Sequence, residues 1–184
     1  MYRLAIAVGF VLATCLASAD PILVKVGHIC CGKCEAAASA GAKSASWVDN
    51  VSIQGTTVTV SPKAGENVEL VSLIQGMRKA GFPPSEIMVS SPITVVVGHM
   101  CCGGCAADLK GKLSQSKVPG LDTGAIATDV SARSISLKPL AGRTLNVVAV
   151  LRDIEAAGFG PQTCVITSAS AQLPSSGKHR TARK

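Results

Sequence analysis

Residues 27–34, Gly-His-Ile-Cys-Cys-Gly-Lys-Cys, return as residues 98–105, Gly-His-Met-Cys-Cys-Gly-Gly-Cys, every position displaced by 71. Of the eight cysteines, six lie in these two clusters, leaving Cys15 and Cys164 outside them. A structural disulfide framework would scatter its cysteines along the chain. Two compact C-C-x-x-C groups instead read as two copies of one thiol site, suited to metal binding or redox chemistry.

The repetition extends beyond the cysteines. Ile22, Val24 and Val26 alternate before the first cluster, and Ile93, Val95 and Val97 before the second. Alternating β-branched residues predict a half-buried strand. Alanine-rich stretches follow, Glu35 to Lys43 and Ala106 to Leu113, and these favour helix. Two further strands are expected in each half: Trp47 to Ile53 and Thr56 to Val60, then Gly124 to Val130 and Ser134 to Leu137. Leu70, Leu73, Ile74 and Met77 lie on one helical face, as do Val147, Val150, Leu151 and Ile154. Gly81 and Gly158 are placed to end these helices in a left-handed cap, and last strands are expected at Glu86 to Ser90 and Thr163 to Thr167.

The order in each half is β-α-β-β-α-β. It predicts an α+β chain of two tandem ferredoxin-like sandwiches, each an antiparallel sheet with two helices on one face. Gly81 and Gly158 are 77 apart rather than 71, so the second repeat carries six additional residues, placed between Ser114 and Gly124. The expected units are 21–90 and 92–169, joined by Ser90-Ser91-Pro92, a link short enough to hold them close.

With these residues in view, each half resembles a heavy-metal-associated domain. This is the fold of copper chaperones, of the soluble modules of metal-pumping ATPases, and of the exported mercury-binding protein. That family carries Met-x-Cys-x-x-Cys between the first strand and first helix. Met100-Cys101-Cys102-Gly103-Gly104-Cys105 matches it, while Ile29 occupies the methionine position of the first repeat. Gly81-Phe82 and Gly158-Phe159 after the second helix also match. The resemblance implies metal thiolates at Cys31 and Cys34, and at Cys102 and Cys105.

The spacing makes chemical sense. Two cysteines three apart, straddling a loop and a first helical turn, can face one ion, and the helix N-terminus favours the thiolate. Thiolates select soft ions, so Cu(I) is the expected cargo, with Zn(II), Cd(II) or Hg(II) as alternatives. Members of that family usually carry a polar residue such as Thr or His, not a third thiol, where this chain has Cys30 and Cys101. Each either joins the metal, in a site suited to Zn(II) or Cd(II), or only packs the loop. His28 and His99 pose the same choice. Cys164 is expected in the last strand as a small buried residue, and Trp47 at the start of a strand as packing.

Residues 1–19 read as a secretory signal: Arg3, an apolar run from Leu4 to Leu16, and Ala17-Ser18-Ala19 as the cleavage site. A lipid anchor at Cys15 is the alternative. Loss of this segment, which carries one arginine, takes the formal charge from +7 to +6. The expected product is exported, periplasmic or extracellular, without stable membrane insertion. Positive charge gathers in 170–184, which reads as a solvated basic tail. Aromatic residues make up 3% of the chain, which argues against base-stacking recognition of nucleic acid.

The leading function is therefore a non-enzymatic, monomeric metal binder, a chaperone or scavenger, that passes ions to a metal-receiving protein. Two ions are held separately, or one is shared between loops. The alternative is a C-x-x-C thiol-disulfide oxidoreductase. Against it stand the β-α-β-β-α-β order and the absence of Trp before either first cysteine.

Overall fold

The computed structural model describes residues 20–167. The leader, Cys15, the basic tail and residues 168–169 of the second expected unit lie outside the described residues.

The first half runs β1 (Ile22–Val26), α1 (Gly32–Lys43), β2 (Val48–Gln54), β3 (Thr57–Pro62), α2 (Leu70–Lys79) and β4 (Pro84–Val89). The second half opens with β5 (Ile93–Val97) and α3 (Gly103–Ser114). After a 3-10 turn at Thr123–Ala125 come β6 (Ala127–Asp129), β7 (Ser134–Leu137), β8 (Leu145–Asn146), α4 (Val147–Ala156) and β9 (Pro161–Ile166). The four-stranded order β2-β3-β1-β4 recurs as β6-β7-β5-β9, all antiparallel. This is the expected pair of ferredoxin-like sandwiches.

Burial follows the alternation. Ile22, Val24 and Val26 face the core of the first sandwich, while Leu23 is 45% exposed and Lys25 pairs with Glu86 on the open face. Ile93, Val95 and Val97 are fully buried in the second. Both expected helix faces, Leu70, Leu73, Ile74, Met77 and Val147, Val150, Leu151, Ile154, are buried against the sheets. Gly81 and Gly158 have φ of 86° and 90°, the left-handed conformation that a β-carbon disfavours.

Some elements differ from the sequence expectation. Both first helices begin earlier, in the cysteine cluster itself, at Gly32 and Gly103. Trp47 precedes β2 rather than starting it; it is buried, and its indole N–H donates to the Glu69 carbonyl at 2.8 Å. The strand expected from Gly124 to Val130 shrinks to three residues, because Asp122 caps a turn by accepting the Gly124 N–H. The longer connection between α3 and β6 buries Leu121 and Ile126.

The largest departure is β8, a strand of the second half that joins the first sheet. Leu145 and Asn146 pair with Val89 and Met88 at the free edge of β4. The first half returns the contact: Glu69 bridges Val165 on β9, and the Ile166 N–H donates to the Val68 carbonyl at 3.0 Å. Val68 and Glu69 stand 77 before Leu145 and Asn146, so each half lends the same segment to its partner's edge. The exchange covers two edges that would otherwise present unpaired backbone groups. It also adds backbone connections beyond the three-residue link.

Register places the thiol loops. Leu23 lies opposite Met88 and Val26 opposite Pro84, so the loop after Val26 is at the end of the sheet away from the exchange. Val97 opposite Pro161 gives the second loop the same placement.

Candidate metal centre

Each centre is built where a first strand meets a first helix. The loop is anchored from below: Met100 is 1% exposed and Ile29 is half-buried in the equivalent place. Cys31 and Cys102 are the N-cap residues, with extended backbone at φ −161° and −157°. Cys34 and Cys105 stand in the first turn of the helices and pack partly against the core.

The sulfurs converge. In the first centre Cys31 Sγ lies 3.5 Å from Cys34 Sγ, and Cys30 Sγ lies 3.6 Å from Cys34 Sγ. In the second the corresponding distances are 3.8 Å, from Cys102 to Cys105, and 3.6 Å, from Cys101 to Cys105. Within each centre all three sulfurs fall within 4.8 Å of one another. Cys30, Cys31, Cys101 and Cys102 are exposed, so both centres open to solvent.

Electrostatics separate the thiols. Neither N-cap cysteine closes a side-chain cap hydrogen bond, but the first-turn N–H groups act on both sulfurs. The backbone N–H of Cys34 holds the Cys31 thiol below its ordinary value, helped by the Cys34 side chain and the Lys33 N–H. The N–H of Cys105 does the same for Cys102, with the Cys105 side chain and the Gly104 N–H. Cys30 is pushed up, first by its hydrogen bond to Cys34 and then by Cys31; Cys101 is pushed up in the same way by Cys105 and Cys102. Each centre thus has one thiol held below its ordinary value at the helix head and one pushed above it by its two neighbours.

The other candidates lie elsewhere. The His28 ring is tilted against Phe82, with centroids 5.8 Å apart, and the His99 ring stacks on Phe159 at 4.9 Å. This contact gives the Gly-Phe sequence after each second helix a packing role that sequence reasoning did not find. Cys164 is fully buried on β9 opposite Val95, and burial pushes its thiol up to about 12, with a smaller contribution from the Glu69 carboxylate. Met77 is buried and Met88 half-buried in the first sandwich. Among the described residues no helix is long and apolar enough to cross a membrane.

No protein-family model matches the chain, and no curated relative does. Among solved structures, the N-terminal soluble domains of Bacillus subtilis CopA are similar at 16% identity and a TM-score of 0.33, covering 78% of this chain and 92% of that one. The water-soluble region of the P-type ATPase CopA from Bacillus subtilis is similar at 14% identity and a TM-score of 0.34, covering 84% and 95%. At these scores the likeness carries no weight for function.

Proposed function

We propose that this protein is an exported, non-enzymatic metal binder, a chaperone or scavenger, that holds one soft ion at each cysteine cluster. The observation that carries the reading is the convergence of solvent-open sulfurs at a helix head, twice, in loops that resemble the heavy-metal-associated motif. Cys31 and Cys34, and Cys102 and Cys105, are the principal ligands, and Cu(I) is the favoured cargo. An exposed centre lets a partner's thiolate reach the ion and replace one ligand at a time. The recipient is a metal-transport protein. A bound ion would also protect thiols in an oxidising compartment.

Titration with Cu(I) under strictly reducing, anaerobic conditions tests this reading. The full chain should take up two equivalents, and the Cys31→Ser/Cys34→Ser double variant one. Two equivalents in the variant would show that the clusters are not independent sites.

A second reading, thiol-disulfide exchange, draws on the 3.5 Å separation and the lowered Cys31 thiol. Insulin-reduction activity without metal uptake would favour it.

A further inference from the structure

The feature that C-x-x-C chemistry leaves unexplained is the third sulfur of each centre. Cys30 immediately precedes Cys31, whose backbone is extended, and across such a residue successive side chains tend to diverge. Yet the Cys30 sulfur comes within 3.6 Å of Cys34, four residues on, and Cys101 repeats this with Cys105 at 3.6 Å. The arrangement is the same in both repeats although Ile29 is replaced by Met100 and Lys33 by Gly104.

The separations set the three sulfurs apart from an in-line pair. With a metal–sulfur bond of about 2.3 Å, two thiolates in line across an ion stand about 4.6 Å apart; three around it stand about 4.0 Å apart, or less when the ion sits above their plane. Sulfurs at 3.5, 3.6, 3.6 and 3.8 Å are closer than the in-line pair and fit sulfurs gathered on one side of an ion, as three-coordinate and four-coordinate sites both require. Both histidines lie against phenylalanine rings, and among the described residues each cluster of candidate ligands consists of its three cysteines alone. The result is a face of three sulfurs open on one side.

We propose that Cys30 and Cys101 make each centre a three-thiolate site for ions that sit above three sulfurs and leave one side bare, trivalent arsenic being the probe of that class. The proposal rests on the metal-binding reading above and specifies its cargo. Arsenous acid has three hydroxyls. Each is displaced by one cysteine sulfur, three As–O bonds giving way to three As–S bonds. Each thiol proton leaves with a hydroxyl as water, three waters in all, and no atom changes oxidation state.

The test titrates the reduced full chain with arsenite, and separately with Cu(I), counting bound equivalents by intact mass and following arsenite displacement by a small competing dithiol. Wild type should bind two equivalents of each. Cys30→Ser should retain one tight arsenite, at Cys101, Cys102 and Cys105, providing an internal control for folding. In Cys30→Ser/Cys101→Ser, arsenite affinity should fall about a hundredfold or more, since loss of a residue that merely supports a ligand already costs 10- to 100-fold. Cu(I) should still bind at two equivalents. Undiminished arsenite affinity in the double variant, or an equal loss for both ions, overturns the proposal. Wild type that binds Cu(I) but not arsenite overturns it while leaving the metal-binding reading intact. Wild type that binds neither ion overturns both.

Discussion

The two repeats share one chain order and one thiol centre, but their helix layers are packed differently. In the first, α1 crosses α2 at two glycines. A β-carbon on Gly76 would fall 2.0 Å from Ser44 Oγ and 2.5 Å from the Gly41 carbonyl oxygen. In the second repeat those positions are Lys112 and Asp153. Lys112 donates to the Ala157 carbonyl at 3.1 Å, and Asp153 accepts the Ser116 hydroxyl at 2.5 Å. The first layer is thus set by backbone contact and the second by polar side chains, with Leu121 and Ile126 of the longer connection filling space. The thiol centres are nearly alike on both. Each centre depends on where a strand hands over to a helix, and both packings deliver that junction.

The sharpest way to break the comparison is at the crossing. Alanine is a better helix former than glycine by about 1 kcal/mol, so Gly76→Ala would stabilise an unhindered helix. Here the steric clash should win, with a loss approaching about 3 kcal/mol in urea unfolding. Asp153→Ala, at the equivalent site, should cost only about 1 kcal/mol, the worth of one hydrogen bond. Equal effects would mean that the crossings do not differ as described.

A smaller effect is expected at the exchanged segments. Glu69 accepts the N–H groups of Val71 at 2.9 Å and Ser72 at 2.6 Å as the cap of α2, and also the N–H of Cys164 in the other half at 3.0 Å. Asn146, its counterpart, accepts only the Ala149 N–H through its side chain, at 3.4 Å. Glu69→Ala should therefore cost about 2 kcal/mol, a lost cap plus an unsatisfied N–H, and Asn146→Ala about 1 kcal/mol. Amide hydrogen exchange should show extra loss of protection at Cys164 in the first variant only. Unchanged exchange there would sever Glu69 from the exchange between halves.

An effect confined to alkaline pH, and absent near neutrality, separates Cys164 from its counterpart Ile87. Burial raises the Cys164 thiol from 9.0 to about 12. Below pH 9 the thiol is neutral folded or unfolded, and its contribution is constant. Above that the unfolded chain loses the proton first, so stability should fall with rising pH, by about 1.4 kcal/mol per unit at most, until the folded thiol ionises. Cys164→Val should flatten that part of the alkaline profile. An identical profile in wild type and variant would show that the thiol ionises without unfolding.

Much of this was legible in the chain. The duplicated cluster, the alternation of Ile22, Val24 and Val26, and the faces of α2 and α4 predicted the sandwiches, because burial against a sheet imposes the same periodicities that the sequence carries. Four of the six additional residues fell where expected, between α3 and β6, while register places the other two in the β6–β7 hairpin, where four residues replace the two between β2 and β3; this split and the shortened β6 did not follow from composition. Trp47 was recognised as packing, though not its bond to Glu69, whose partner lies 22 positions away.

The cysteine inventory of both clusters and the order of elements belong to the sequence alone, since residue identity and local periodicity decide them. The exchange of edges belongs to the tertiary structure. Val68-Glu69 and Leu145-Asn146 are two-residue segments that pair through backbone groups common to all residues, so no side-chain pattern announces them. The convergence of the third sulfur belongs there too. Cys30 and Cys101 could have turned into the loop or toward the helix head, and spacing along the chain does not decide between the two; the folded loop does, bringing both within 3.6 Å of the helical cysteine.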